Sequence, residues 1–243
     1  MTDNSRPRTL KPVEHHRLAD QAHEAIRGSI LAGGFEPGER LVETRLASDL
    51  GMSRAPIREA LQRLSKEGLV LERAHRGTFV LELGVVDIID IYNLRLGLEA
   101  TGLRLFMKRG ATTTKLWTRI EQMERAADRD DIAAIVRAEF AFHRYIAEEA
   151  GNPFLTKVFS ELEGRLMLVI AIDDAAFLRL HDVPAEHVPV VEAIETGDEL
   201  RAVTVFEEHL LSTVGAAIER LGGDVSLLLR PLRREGSRAS SKK

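Results

Sequence analysis

Residues 41–70 read LVETRLASDLGMSRAPIREALQRLSKEGLV, and one glycine in them decides how the front of the chain folds. Leu46, Ala47 and Leu50 recur at helical spacing and form the apolar face of a short helix. Gly51 supplies the tight turn after it, and Ser53 is a good N-cap for the helix that follows. Pro56 falls in the first turn of that second helix, where its missing donor removes no intrahelical bond. The second helix turns Ile57, Leu61 and Leu64 inward. On its other side Arg54 and Arg58 lie about 40° apart on the wheel and project together from the N-terminal half.

Two short helices joined by a glycine turn, the second opening with paired arginines, have the form of a helix-turn-helix. A guanidinium can donate two parallel hydrogen bonds to O6 and N7 of a guanine in the major groove, worth about 1–3 kcal/mol of discrimination. Ser53 and Thr44 are suited to bonding phosphates. Downstream, LVLERAHRGTFVLEL (69–83) alternates apolar and polar residues on each side of Ala74–Gly77, which signals a hairpin. Placed as a wing, it presents His75, Arg76 and Gly77 at its tip, where a basic residue beside a glycine can enter a minor groove. Upstream, LADQAHEAIRGSILAG (18–33) reads as a helix and GGFEPGERL (33–41) as a turn.

From about residue 85 strand signals vanish and segments of 3.6-residue period follow one another, predicting helices near 86–109, 113–127, 130–150, 153–179, 185–196 and 198–221. Gly151 ends one helix, Asn152 caps the next and Pro153 opens it; Gly197 and Asp198 do the same at a second junction. The fold class is mainly α: an α/β winged helix-turn-helix followed by an all-helical antiparallel bundle. The expected domains are a disordered 1–14, a DNA-binding 15–82, a helical 83–223 and a basic, disordered tail 224–243.

The 243 residues fit two domains. Net charge is −4, but residues 82–229 carry 15 Lys/Arg against 26 Asp/Glu, while residues 1–81 carry 13 against 11. A polyanion would therefore meet the front. There is no cysteine, which excludes disulfides and thiolate ligands. No apolar run is long enough to span a bilayer and the opening residues lack a signal-peptide core, so the expectation is a cytoplasmic protein without a membrane partner.

The stretches IRGSILAGGFEPGERLVETRLASDLGMSRAPIREALQRLSKEGLV (26–70) and HRGTFV (75–80) resemble the winged helix-turn-helix of the GntR family of bacterial transcriptional regulators. The helical remainder resembles the FCD effector domain of the FadR-type branch. The resemblance covers about residues 18–221, with LGMSRAPIREAL (50–61) its most specific motif. It implies that Arg54 and Arg58 read bases and that Arg76 and Gly77 enter the minor groove. Where relatives often carry a DNA-contacting arginine this chain has Thr44, with Arg45 beside it. It further implies a homodimer on a palindromic operator with GT and AC half-sites, and repression relieved by an effector.

In EFAFH (139–143), Glu139 and His143 stand one helical turn apart, a spacing that lets two side chains share a metal. His187 and His209 lie on the two helices joined at Gly197, which should be antiparallel neighbours. Glu139, His143, His187 and His209 match the FCD pattern of an acid, a histidine four later and two downstream histidines, except that relatives usually carry aspartate where this chain has Glu139. The expectation is a divalent metal such as Zn or Ni. Open coordination positions would take the carboxylate of a small organic acid, with Arg95 the first candidate for its cationic partner and Arg137 and Arg165 further ones. An intrahelical pair between Arg95 and Glu99 is the alternative use of Arg95. HExxH is absent and no separate general base presents itself, so the chain reads as no enzyme. A metal-dependent hydrolase or isomerase, and a regulator that senses the metal itself, are the alternative readings.

Overall fold

The computed structural model of the chain describes residues 15–172 and 181–229, and its contacts fall into two units that divide between Leu81 and Glu82. The first unit contains α1 (His15–Leu31), β1 (Arg40–Leu41), α2 (Glu43–Asp49), α3 (Arg54–Lys66), β2 (Val70–Arg73) and β3 (Gly77–Val80). Helix α1 packs on α3, and their buried residues, Ala22, Ile26 and Ile30 on one and Ile57, Leu61 and Leu64 on the other, keep the helical period. Between α2 and α3, Gly51 adopts φ 62°, a left-handed conformation that glycine enters without steric cost. Ser53 occupies the N-cap position of α3 with extended backbone, but its hydroxyl makes no capping bond, unlike the expectation from its residue type.

The sheet is antiparallel, ordered β1-β3-β2, with Val70 opposite Val80 and Arg73 opposite Gly77. The sequence predicts the β2/β3 hairpin but not β1, which lies in the stretch read as a turn. Two residues are too few to show alternation. What makes β1 a strand is its neighbour, since Arg40 lies opposite Phe79 and Leu41 opposite Thr78 of β3, an alignment continued just before β1 by Val80 donating to Glu39 at 2.9 Å and accepting from Gly38 at 3.1 Å.

The second unit is helical: α4 (Val85–Lys108), α5 (Thr114–Ala127), α6 (Ile132–Glu149), α7 (Pro153–Ile172), α8 (Val183–Glu195) and α9 (Glu199–Arg220). Its helix starts are chemically marked. Asp131 Oδ1 accepts from Ala134 N at 2.9 Å, Asn152 Oδ1 from Phe154 N at 3.1 Å and Leu155 N at 3.2 Å, and Asp198 Oδ1 from Arg201 N at 3.0 Å. Helices α5 and α6 form a hairpin, α4 packs on α6, α7 and α9, and α8 on α5 and α9. Phe106, Phe142 and Phe206 are fully buried in the core these helices share.

The reading of 224–243 as a disordered tail is corrected for its first residues. Val225–Leu227 form a 3-10 turn, and Asn93 of α4 clasps its end and the residues just after it, donating to Leu227 O at 3.1 Å and accepting from Leu229 N at 2.8 Å. Backbone groups paired in this way give an otherwise unpatterned segment a fixed path. The expectations for 1–14, for 173–179 as helix and for the basic residues from 230 onward fall outside the described residues.

Candidate functional site

In the first unit, α3 presents Arg54 and Arg58 on its exposed face, and both reach back to one carboxylate on α2. Arg54 Nη2 donates to Glu43 Oε2 at 2.9 Å, and Arg58 donates through Nε at 3.2 Å and Nη2 at 3.1 Å. These bonds, Arg58's first and then Arg54's, hold the Glu43 carboxyl below its ordinary pKa. Thr44, Arg45 and Ser53 are exposed on the same unit, Arg45 only loosely paired with Asp49 at 3.9 Å. The wing tip is a three-residue loop closed by Arg76 N donating to Arg73 O at 2.9 Å, with His75 at φ 60° and Gly77 at φ 102°. His75, Arg76 and Gly77 are all exposed. A cleft of about 490 Å³ separates α3 from the wing, lined by Arg58, Gln62, Arg73, His75 and Thr78 among others. Nucleic-acid contact needs a helix end and a wing offering cations to solvent, and both are present.

The second unit buries its polar groups in one place. His143 on α6, His187 on α8 and His209 on α9 are 1%, 1% and 8% exposed, and each offers a ring nitrogen such that the three lie within 4.8 Å of one another. Ring centroids are 4.3 Å apart for His187 and His209 and 5.5 Å for His143 with either. Phe142 and Phe206 pack against the imidazoles. His187 Nδ1 donates to Val183 O at 2.7 Å, because a carbonyl can only accept, and His143 Nδ1 meets Glu99 Oε2 at 2.7 Å. The outer nitrogens of His143 and His187 are thus engaged, whereas His143 Nε2, His187 Nε2 and His209 Nδ1 are buried without a hydrogen-bond partner. Three orphaned lone-pair nitrogens, each ring oriented by the bond at its other side or by packing, are what a divalent metal requires and what a core without one does not tolerate well. Burial, reinforced by the neighbouring His143, pushes His187 down to about 3, and burial with His187 and His143 holds His209 well below the usual range. Both are neutral at pH 7, the form that ligates.

Beside the trio lies a carboxylate that spacing alone did not single out. Glu99 on α4 takes His143 on one oxygen and Arg95 Nε on the other at 2.5 Å, and Arg95 and Glu99 are only 2% and 4% exposed. Burial works against the Glu99 charge, but Arg95 and then His143 overcome it and bring its pKa to about 2. Arg95 and Glu99 form the intrahelical pair considered from the sequence, but buried and extended to the histidine. The Arg95 guanidinium also lies 5.4 Å from the Tyr92 ring. A signal for Glu99 exists in the sequence, because Tyr92, Leu96, Glu99, Leu103 and Phe106 form one buried helical stripe with a carboxylate in the middle.

The other candidates separate. Glu139 is buried on α6 near His143 and Arg95, but its carboxylate is not among the groups that converge with the three imidazoles; burial raises its pKa. Arg137 is exposed on the opposite side of α6, and Arg165 gives Nη1 to the Glu161 carbonyl of its own helix at 2.8 Å. Neither joins the buried cluster, since a long cationic side chain keeps its guanidinium toward water unless a buried anion draws it in.

A sequence profile described as bacterial regulatory proteins, gntR family, matches residues 18–80, and one described as the FCD domain matches residues 90–212. A probable D-xylose utilization operon transcriptional repressor of Paenarthrobacter nicotinovorans is 28% identical over 216 residues, spanning 88% of this chain and 95% of its own. The transcriptional repressor GlaR of Escherichia coli (strain K12) is 25% identical over 218 residues, 82% of this chain and 95% of its own. Among solved structures, E. coli McbR/YncC superposes with a TM-score of 0.69 at 21% identity, covering 84% of this chain and 98% of that one, a likeness of fold.

Proposed function

The chain belongs to the gntR family of bacterial regulatory proteins and is a DNA-binding transcriptional regulator with an FCD domain, and from that premise we propose that it is a metal-loaded, effector-responsive repressor. The observation that carries this reading is the set of three orphaned imidazole nitrogens buried in the helical unit. His143, His187 and His209 would hold a divalent ion such as Zn or Ni, and the ion would supply open coordination positions for a small organic acid. Arg95, buried and bonded through Glu99 to His143, closes the other end of that carboxylate; Glu99 keeps Arg95 and His143 aligned.

Operator reading is assigned to Arg54 and Arg58 in the major groove and to His75, Arg76 and Gly77 at the minor groove, with Thr44, Arg45 and Ser53 on phosphates. The protein acts as a homodimer on a palindromic site. Exposed apolar side chains on the packed pair α4 and α7, namely Val86, Leu94, Phe154 and Val158, support pairing through the helical unit. No helix of the described residues is long and apolar enough to cross a membrane, in keeping with a cytoplasmic site of action. Repression is favoured because similar proteins carry that name. By linkage, an effector that weakens DNA binding is itself bound more weakly on DNA by the same factor.

The test is elemental analysis and native mass spectrometry of the purified protein, followed by footprinting on its own promoter DNA. Stoichiometric metal, lost together in the His143→Ala, His187→Ala, His209→Ala variant, is the expected result. Metal-free protein as purified, with no uptake on titration of Zn or Ni, overturns the site. If adding metal to stripped protein alone switches DNA binding, the metal is the signal and the organic effector is dispensed with.

A further inference from the structure

The α5–α6 hairpin carries a second concentration of charge that neither the reading head nor the buried histidines use. Arg119, Arg125, Arg129 and Arg137, with Gln122 and the small side chains Ala134, Ala138 and Ala141, line a cavity of about 310 Å³. No carboxylate lines it. In a stretch of chain where 15 Lys/Arg stand against 26 Asp/Glu, four arginines on one groove are not an average of the surroundings. Cations that converge without counter-charge repel one another and concentrate positive potential in the concavity.

Local pairing relieves little of this. Arg125 Nη2 stands 3.6 Å from Glu121 one turn back, an exposed pair of the weak kind. Among the described residues no carboxylate pairs with Arg119, Arg129 or Arg137. Arg119 donates Nη1 to Gln122 Oε1 at 2.8 Å, while its Nε is buried without a partner. A desolvated donor on a cation is costly to leave unmet, and Arg119 is one of the residues that line the cavity. The alanines keep the space open where larger side chains would fill it. Arg137 and Ala141 lie about 200° around α6 from Glu139 and His143, so the groove is on the other side of the helix from the histidine cluster.

We propose that this groove is a second ligand site, taking a small molecule that bears a phosphate group. Guanidinium forks match phosphate oxygens two at a time and stay charged at any working pH. Several guanidinium groups lining one groove suit a dianion better than a monocarboxylate. The volume lies at the small end of cavities that hold metabolites and does not admit a duplex.

The experiment is calorimetric titration of the full-length, metal-loaded protein with glucose 6-phosphate as the probe, against glucose and succinate at equal ionic strength. Saturable binding of glucose 6-phosphate is expected, weakened roughly tenfold or more in R129E/R137E, where two charge-assisted contacts are lost. Both positions are exposed, so metal content and melting temperature should match the unaltered chain. The H143A/H187A/H209A variant should keep the phosphate binding. Equal affinity in R129E/R137E, loss of binding only in the histidine variant, succinate binding to the H143A/H187A/H209A variant as tight as that of the phosphate ester, or no saturable heat at all would each overturn the proposal.

Discussion

Replacing Glu99 with glutamine tests the buried arrangement most directly, because it removes a charge and almost no volume. The carboxylate faces Arg95 Nε at 2.5 Å and His143 Nδ1 at 2.7 Å with both partners buried. Its pKa falls from 4.5 to about 2, which corresponds to about 3 kcal/mol favouring the ionised folded form. Uncoupling one member of a buried ion pair costs about 3–5 kcal/mol, since the guanidinium stays buried with only an amide opposite. At about 2–4 °C per kcal/mol, E99Q should melt roughly 6–20 °C below the unaltered chain when both are metal-free. The sign with pH follows from the depressed pKa: the contribution is complete above 4.5 and is lost as pH falls toward 2, so the two melting curves should converge in acid. In loaded protein the same change loosens the orientation of His143, and chelator competition should show metal affinity lower by roughly 10–100-fold. If E99Q melts within about 2 °C of the unaltered metal-free chain and keeps its metal affinity, the Arg95–Glu99–His143 assignment is wrong.

Three further outcomes are expected. Glu139→Gln should leave metal affinity within about threefold, well short of a lost ligand's effect, because the carboxylate stands apart from the converging imidazoles; chelator competition reads it, and a loss as large as that of His187→Ala would return Glu139 to the ligand set. Arg58→Ala should cost about 1–3 kcal/mol of operator-specific binding with folding unchanged, and in fluorescence anisotropy the salt slope should stay steep. Gly151→Ala should destabilise by about 1 kcal/mol in thermal melts, because the residue sits at φ 66° and an added Cβ would fall 2.5 Å from Arg109 Cζ; an unchanged melting point would mean the α6–α7 turn relaxes freely.

The fold was legible where local chemistry and period agree. Gly151 with Asn152, and Gly197 with Asp198, mark helix ends by conformational necessity, and the structure shows both glycines left-handed and both caps bonded. Strand β1 and the turn at Val225–Leu227 were not legible, because each exists through partners far along the chain: Thr78 and Phe79 for one, Asn93 for the other. Ser53 shows the converse, a residue type suited to capping whose hydroxyl makes no such bond.

The histidines were singled out through spacing and resemblance, with Glu139 expected as a fourth metal ligand, whereas the carboxylate that hydrogen-bonds His143 is Glu99. Residues four apart on one helix share a face, which brings Cβ atoms near each other without fixing where the terminal atoms point. His143 points its Nε2 toward His187 and His209 and its Nδ1 across to α4, so its carboxylate had to come from another helix. A carboxylate inside an apolar stripe stays ionised only if buried cations or donors surround it. Arg95, one turn before Glu99, supplies the half of that requirement readable from a single helix. The other half is an imidazole 44 residues away, and it becomes visible only once α4 is known to pack on α6.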